Sequence, residues 1–489
     1  KTMKAAVYHE FNGPIRVEDV RMPTLTDDGS VNSNNASSSC SSSTAIIVQV
    51  MATGVCRSDW HGWKGHDSDI QGHGLPFVPG HEFSGIVVDV GSQVQRFQKG
   101  DRVAVPFILS CGSCRYCSPF GASNSNSNST RQPPRNTKVQ QPTICSYQQQ
   151  PGFTMWGSYA EYCKVPRADR NVQHLPESVS FVQAAALGCR FTTAYRAILQ
   201  QGQLLEGFRR RQQEFNAVEM ASQSLPTPPP PPFSIAVFGC GGLGLSCIML
   251  AAVSLQKTSI SNITTGSHLH NRQSRYQIVA VDVSDEALLK AKSLGATHTV
   301  KVVPNKDTPQ QIAANLIQIL KEDYQQRRLD GVKRNLALVD KVIDGVDLTI
   351  DAAGFSDTSD AAVWSTRPGG RMVQVGLPSQ PVPVNMTRIA GKEITIVGSH
   401  GFDGANDLPK LLDMVDDANN RARHAAATCT NSMPSAEENY YLDPCQLVER
   451  EVTLEEGCQS LQDMDNQSPL GIVMITKFDG DENIKHSKI

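Results

Sequence analysis

Nowhere in this chain do about 18 apolar residues run together, so the sequence contains no bilayer-crossing helix. An excess of one charge is missing too. The 489 residues carry 45 Lys and Arg against 48 Asp and Glu, a net charge of −3 with a pI near 6.5. That excludes a basic field able to draw nucleic acid or an anionic membrane surface. The opening residues Lys1-Thr2-Met3-Lys4-Ala5-Ala6-Val7 lack a signal-peptide pattern. Position 1 is not Met, which leaves room for a segment upstream. A disulfide framework is not suggested either: the 13 cysteines are odd in number and clustered. Such spacing implies reduced surroundings and metal or catalytic use, so a cytoplasmic location is expected, with an organelle still open.

What is present is enough for two or three domains, with 39% hydrophobic residues to build their cores. Dense, patterned segments alternate with biased ones. Residues 4–20 and 45–55 read as strands, Ile46-Ile47-Val48-Gln49-Val50 being apolar and β-branched. Residues 27–44 are nearly all Ser, Asn, Asp and Gly, and 121–143 are rich in Ser, Asn, Gln and Pro. An Arg-rich then Pro-rich tract covers 208–232, and further polar tracts lie at 256–277, 303–341 and 419–441. Within 303–341, residues 310–329 have helical periodicity. These tracts amount to roughly a third of the chain. Loop closure costs grow slowly with length, so they are expected as low-complexity insertions on the surface of an ordinary fold.

The segment Gly54-Val55-Cys56-Arg57-Ser58-Asp59-Trp60-His61 holds a thiol, a cation, a hydroxyl, a carboxylate and an imidazole. Alone it proves little. Pro79-Gly80-His81-Glu82 follows, its histidine 25 residues beyond Cys56, and Gly188-Cys189-Arg190-Phe191-Thr192-Thr193 offers a third ligand. Two thiolates and one neutral imidazole around Zn²⁺ leave a charge near zero, hence an electrophilic ion with an open position. Read from spacing alone, these residues also suit three unrelated core positions. A tighter cluster, Cys111-Gly112-Ser113-Cys114-Arg115-Tyr116-Cys117, has three cysteines at three-residue steps, with Cys145 28 positions later. Four thiolates make a closed, structural zinc site, and the long loop adds only about 1 kcal/mol to its closure. A lobe that has lost its metal is the alternative.

A dinucleotide signal comes next. The apolar strand Ser234-Ile235-Ala236-Val237-Phe238 leads into Gly239-Cys240-Gly241-Gly242-Leu243-Gly244, and an apolar helical run follows at 245–253. Strand before and helix after is the context a Gly-x-Gly-x-x-Gly loop needs to present backbone N–H groups to a pyrophosphate. A second strand, Ile278-Val279-Ala280-Val281, ends in Asp282, an acid suited to ribose hydroxyls and hostile to a 2′-phosphate, which favours NAD. Arg272 and Arg275 in the intervening tract temper that preference. Further strands at 297–300, 347–351, 371–375 and 393–397 alternate with helical patterns, which predicts an α/β fold with a doubly wound parallel sheet.

As a set these motifs resemble the zinc-dependent alcohol dehydrogenases of the medium-chain dehydrogenase/reductase superfamily. Lys-Gly-Asp-Arg-Val (99–103), Trp-Gly-Ser-Tyr-Ala-Glu-Tyr (156–162) and Val-Gly-Ser-His-Gly (397–401) extend the match from end to end. The resemblance implies a GroES-like, mainly-β catalytic domain from residues 1–190 and 401–489, with a Rossmann domain at 191–400. It implies that Cys56, His81 and Cys189 hold catalytic zinc, with Glu82 a carboxylate beside it and Asp59 the acid orienting His81. By the same resemblance Ser58 takes the substrate proton and His61 relays it. Arg57 would contact the pyrophosphate, Thr193 the nicotinamide, and Gly239, Gly241, Gly242, Leu243, Gly244 and Asp282 the rest of NAD. Cys111, Cys114, Cys117 and Cys145 match the structural zinc ligands, the insert before Cys145 being the clearest departure. The implied reaction interconverts an alcohol and its aldehyde or ketone by hydride transfer. The expected partners are that small molecule and, in a dimer or tetramer, other copies of the chain, with no nucleic acid or membrane. Two rivals are a zinc-free, NADPH-dependent quinone or enone reductase and a non-catalytic cofactor-binding scaffold. Trp60, Trp63 and Trp156 suit either a substrate pocket or packing.

Overall fold

The computed structural model describes residues 1–25, 43–118, 141–221, 230–261, 275–328, 343–378, 380–427, 441–466 and 469–478. The chain forms two compact units. One comprises Lys1–Thr192, Gly401–Asn431 and Asp443–Ile489, the other Thr193–His400 and Ser432–Leu442.

The first unit is mainly β. Strands β1 (Thr2–Val7) and β2 (Arg16–Arg21) form an antiparallel pair. The main sheet is built on β3 (Ile46–Val55), whose β-branched run is buried along almost its whole length, as a central strand requires. It pairs antiparallel with β4 (Phe83–Val90) and with the C-terminal strand Ile472–Lys477, so both chain ends contribute to one sheet. Strand β5 (Arg102–Val105) continues from β4. Strand β6 (Tyr162–Val165) also pairs with β3, and β7 (Gln173–His174) closes the far side. Phe83, Val103 and Val105 pack with Ile46 and Val48 into one core, while Tyr8, Trp63, Phe77 and Tyr159 belong to a second.

The second unit is the expected doubly wound sheet. Its six strands are β8 (Phe233–Phe238), β9 (Tyr276–Asp282), β10 (His298–Lys301), β11 (Val346–Asp351), β12 (Thr366–Gln374) and β13 (Thr395–Gly398). All pair in parallel, in the order β10-β9-β8-β11-β12-β13. Strands β8 and β11 are buried throughout, β8 as a largely apolar run and β11 with its polar Asp347, Thr349 and Asp351 hydrogen-bonded inside the unit. The order reverses between them, and the carboxyl ends at such a point are where an open α/β sheet binds its ligand.

The tracts read from composition are shorter than their composition suggested. Much of the Arg-rich segment lies in a helix, Leu204–Ala221, with Leu204, Phe208 and Gln212 buried and Arg209 and Arg210 exposed. Arg, Gln and Glu are good helix formers, so a polar composition there marks the solvent face of a helix. The helix after the glycine loop runs Gly242–Ser261, into the tract assigned to 256–277. Leu408–Ala427 takes the start of the 419–441 tract, and Pro309–Arg328 is the helix expected within 303–341. The Ser/Asn-rich segment 27–42 and most of 121–143 lie outside the described residues.

Candidate active site

Strand β3 ends at Val55, and Cys56 is the first residue beyond it, in extended conformation (φ −118°, ψ 150°) at the start of helix α1 (Arg57–Trp63). Strand β4 begins at Phe83, so its antiparallel pairing with β3 brings His81 and Glu82 alongside Gly54 and Cys56. The Gly54 N–H donates to the Glu82 carbonyl at 2.8 Å. A Cβ on Gly54 would lie 2.4 Å from Glu82 Oε2, so a larger residue there would displace the buried carboxylate. Cys189 arrives on the helical segment Leu187–Phe191. The ligand atoms of Cys56, His81, Glu82 and Cys189 lie within 4.8 Å of one another. His81 and Glu82 are fully buried, and Cys56 nearly so.

Asp59 organises this cluster from below. Its Oδ1 accepts from His81 Nδ1 at 2.8 Å and from the Gly80 N–H at 3.0 Å. Its Oδ2 accepts from the Cys56 N–H and from the Tyr159 hydroxyl, each at 3.2 Å. The carboxylate therefore sets the His81 tautomer with Nδ1 protonated and leaves Nε2 as the free ligand atom. Nε2 has no hydrogen-bond partner, nor has either Glu82 oxygen. A buried imidazole nitrogen left orphaned beside two sulfurs and a carboxylate is a donor set that suits zinc.

These groups share protons, which a metal ion would displace on binding. A hydrogen bond between the two sulfurs holds Cys56 well below the usual thiol range and pushes Cys189 well above it. Burial alone would lower His81, but Asp59 outweighs it and raises the imidazole well above its ordinary value. Burial also lifts Glu82 to about 8. Arg190 opposes that shift, its Nε 3.8 Å from Glu82 Oε1, while its Nη2 donates to the Val55 carbonyl at 2.5 Å.

The rest of α1 turns outward. Ser58 is half-buried, and His61 is exposed with Nδ1 3.3 Å from His66 Nδ1. Although it lies at the surface, His61 is partly desolvated, and that loss of water, then Arg57 and His66, lowers its pKa. Arg57 lies over the Trp60 ring at 3.8 Å and donates to the Met464 carbonyl at 2.7 Å. Each of the three tryptophans is held by its indole N–H. Trp63 Nε1 donates to the Gly13 carbonyl, Trp156 Nε1 to that of Pro76, and Trp60 Nε1 to Asp465 Oδ1.

In the same unit Cys111, Cys114, Cys117 and Cys145 converge, all four sulfurs within 4.8 Å of one another. The sulfurs of Cys114 and Cys117 are 3.5 Å apart, those of Cys114 and Cys145 3.8 Å. Backbone N–H groups of Ser113 and Cys114 point at the Cys111 sulfur, and those of Cys111 and Tyr147 at the Cys145 sulfur. Burial raises Cys111, but the hydrogen bonds from Ser113 and Cys114 outweigh it and bring the thiol down to about 6.

In the second unit the glycine loop joins β8 to the helix Gly242–Ser261, at the switch point of the sheet. Gly244 packs so closely that a Cβ would lie 1.8 Å from the Gly239 carbonyl oxygen, whereas Gly241 has nothing within 4 Å of its Cβ position. The loop is thus tied down on one side and open on the other, which leaves backbone room for a pyrophosphate. Leu243 is half-buried in the first helical turn. Asp282, the last residue of β9, accepts from the Cys240 N–H at 2.6 Å and the Ser284 N–H at 2.7 Å, which fixes it beside the loop. Thr193 is half-buried in the short helix Thr192–Tyr195. Arg275 precedes the first residue of β9, at the end opposite Asp282 and roughly 20 Å from it by strand rise, too far to hold a phosphate there. Arg272 lies outside the described residues.

Three contributors were missed in the sequence. Arg190 and Tyr159 stood inside quoted motifs, but only tertiary contacts show their partners. His66 carried a legible signal, a histidine one residue after Gly65 at the end of a short helix.

Comparison with known proteins gives two family matches. An alcohol dehydrogenase GroES-like domain matches residues 42–177, and a zinc-binding dehydrogenase domain matches 272–417. An alcohol dehydrogenase of Geobacillus stearothermophilus is 30% identical over 416 residues, 84% of this chain and 88% of that protein. A sorbitol dehydrogenase of Bacillus subtilis is 26% identical over 420 residues, 85% of this chain and 86% of that protein. Among solved structures, alcohol dehydrogenase TADH from Thermus sp. ATN1 superposes with a TM-score of 0.64 at 23% identity, covering 97% of this chain and all of that one.

Proposed function

This chain belongs to the zinc-type medium-chain dehydrogenase/reductase family, in its alcohol dehydrogenase branch, and from that premise we propose that it is a zinc- and NAD-dependent alcohol dehydrogenase. The observation that carries the reading is the buried convergence of Cys56, His81, Glu82 and Cys189 with His81 Nε2 left unpartnered. Cys56, His81 and Cys189 would hold the catalytic zinc, Glu82 would stand by as an exchangeable carboxylate, and Cys111, Cys114, Cys117 and Cys145 would hold a structural one. Zinc, when bound, supplies Lewis acidity that lowers the pKa of an alcohol toward neutrality, and the nicotinamide cofactor carries the redox step.

The protein's own residues do the rest. Asp59 holds His81 in one tautomer and orientation, and Tyr159 and Gly80 hold Asp59. Ser58 accepts the substrate proton, and His61, a neighbour on the exposed side of α1, passes it to solvent. A depressed His61 pKa keeps the imidazole neutral, and so able to accept, at neutral pH. Gly239, Gly241, Gly242, Leu243 and Gly244 cradle the pyrophosphate with Arg57, and Thr193 meets the nicotinamide. Asp282 takes the ribose hydroxyls and repels a 2′-phosphate. Lys301, its register partner on β10, is engaged by Asp285 at 2.8 Å, which leaves NAD favoured. The catalytic domain comprises 1–190 and 401–489 and the NAD domain 191–400.

The substrate is an alcohol or its aldehyde or ketone. The described cysteines are free, which suits a reducing, cytoplasmic setting. A homo-oligomer, dimer or tetramer, suits β13, an edge strand with Thr395 and Ile396 exposed and Met386 exposed just before it. A coupled screen of alcohols and aldehydes with NAD(H) and NADP(H), with zinc analysis of the purified chain, tests the reading. Turnover with NAD(H) and two zinc ions per chain are expected. Turnover without zinc, or none with any alcohol, would return the choice to the quinone reductase or the scaffold.

A further inference from the structure

The helix α1 ends in a way that brings two histidines together. Gly65 takes a left-handed conformation (φ +75°). Its N–H donates to the Gly62 carbonyl, and the His66 N–H reaches back to the His61 carbonyl at 3.0 Å. These two bonds define a Schellman cap, which stacks the residue after the glycine against the residue five positions earlier. That pair is commonly apolar. Here both members are imidazoles, exposed, with Nδ1 atoms 3.3 Å apart and ring centroids 5.6 Å apart.

We infer that His61 and His66 form a two-imidazole chelate for a borderline divalent cation such as Zn²⁺ or Ni²⁺, separate from the Cys56/His81/Cys189 cluster, and that filling it shuts the proton exit. Two nitrogens each about 2.0–2.1 Å from one zinc ion at a tetrahedral angle lie about 3.3 Å apart. The observed spacing meets that requirement. The backbone that sets it is fixed by two hydrogen bonds, so little ordering is needed when the ion binds. Imidazole suits Zn²⁺ and Ni²⁺, and water completes the coordination sphere. Burial and the neighbouring Arg57 and His66 favour the neutral form of His61, which leaves its ring free to ligate. The site sits beside an internal reporter. The Trp60 ring lies edge-on to both histidines, with centroids 4.9 Å from His61 and 5.8 Å from His66.

The inhibitory half of the inference rests on His61 being the proton exit; the binding half does not. The test uses the full-length, zinc-loaded enzyme after gel filtration, titrated with further Zn²⁺ by calorimetry and with Ni²⁺ by tryptophan fluorescence. One additional equivalent of Zn²⁺ is expected, and Ni²⁺ should quench part of the tryptophan emission. His66→Gln should abolish both, the rate of each protein being compared with its own rate before metal is added. Near pH 7 the wild-type rate should fall as the site fills, by the same factor that His61→Gln costs, and the His66→Gln variant should not be inhibited. No additional equivalent, or equal binding by wild type and His66→Gln, overturns the site. Binding that His66→Gln abolishes but that leaves the rate untouched upholds the site and overturns the role of His61 as proton exit.

Discussion

Cys111, Cys114 and Cys117 stand three residues apart in one loop, whereas Cys56, His81 and Cys189 come from three separate elements 133 residues from end to end. Both clusters draw their ligand atoms within 4.8 Å of one another, yet they are finished differently. In the four-cysteine lobe backbone N–H groups point at the sulfurs of Cys111 and Cys145, so the loop that gathers the ligands also braces them. In the mixed cluster the supporting contact is a carboxylate on the far side of the imidazole, and the atoms facing inward, His81 Nε2 and both Glu82 oxygens, are left without hydrogen bonds. One site is braced by its own loop. The other is built with polar atoms left over, at a real cost in desolvation. A protein tolerates that cost where the atoms are to be used.

The largest expected effect breaks the second site alone. Cys56→Ser should abolish turnover and lower the zinc content by one ion per chain, while the lobe keeps its own and NAD binding stays nearly intact. Near-normal turnover in this variant would sink the assignment of Cys56 as a ligand. Next comes Asp59→Asn, which keeps the shape but cannot accept from His81, Gly80, Cys56 and Tyr159 as an anion does. Supporting residues of this kind are worth about 10- to 100-fold in metal affinity or activity. A loss of that size, recovered in part at raised zinc concentration, is the expected outcome. An unchanged zinc affinity would mean that Asp59 serves packing only.

How much of this could be read beforehand differs between the two sites for the same reason. Three cysteines at fixed steps announce themselves, because the loop that gathers them is local. Cys56, His81 and Cys189 carry no such local mark and became legible only as a set with their surrounding motifs. The parallel sheet was most legible in β8, a largely apolar run bounded by loops, and less so in β11, where Asp347, Thr349 and Asp351 interrupt the apolar residues. Arg190 was not. Its partners, Glu82 and the carbonyls of Val55 and Gly471, depend on how β3 meets β4 and the C-terminal strand. The helix Leu204–Ala221 was misread because three successive arginines look like a linker until Phe208 is seen buried beneath them.

A smaller effect belongs to His61. With its pKa depressed, His61 stays neutral down to a lower pH than an ordinary histidine, so the wild-type rate should hold as pH falls toward the usual histidine range. Below its own pKa the ring is charged, cannot accept, and the rate should drop. His61→Gln should remove that limb and lower the rate near neutral pH more than at high pH, where solvent base substitutes. A pH-rate profile of both proteins decides it, and an equal loss at every pH would count against a relay.

The smallest effect on turnover should come from the other cluster, in Cys145→Ser. Because the lobe's sulfurs are braced locally and, among the described residues, no hydrogen bond links the lobe to Cys56, His81, Glu82 or Cys189, the folded variant should turn over substrate at the wild-type rate. Its cost should appear in stability instead. Structural zinc contributes on the order of 10 kcal/mol in peptide models, and part of that is lost with the fourth ligand. Each kcal/mol moves the midpoint by about 2–4 °C for domains of 150–250 residues, so a fall of about 5 °C or more is expected by calorimetry. Zinc analysis should again read one ion fewer, this time with activity per zinc-loaded active site preserved. If Cys145→Ser abolished turnover as Cys56→Ser does, the two clusters would be one functional unit, and the contrast between a site braced by its own loop and one with polar atoms left over would fail.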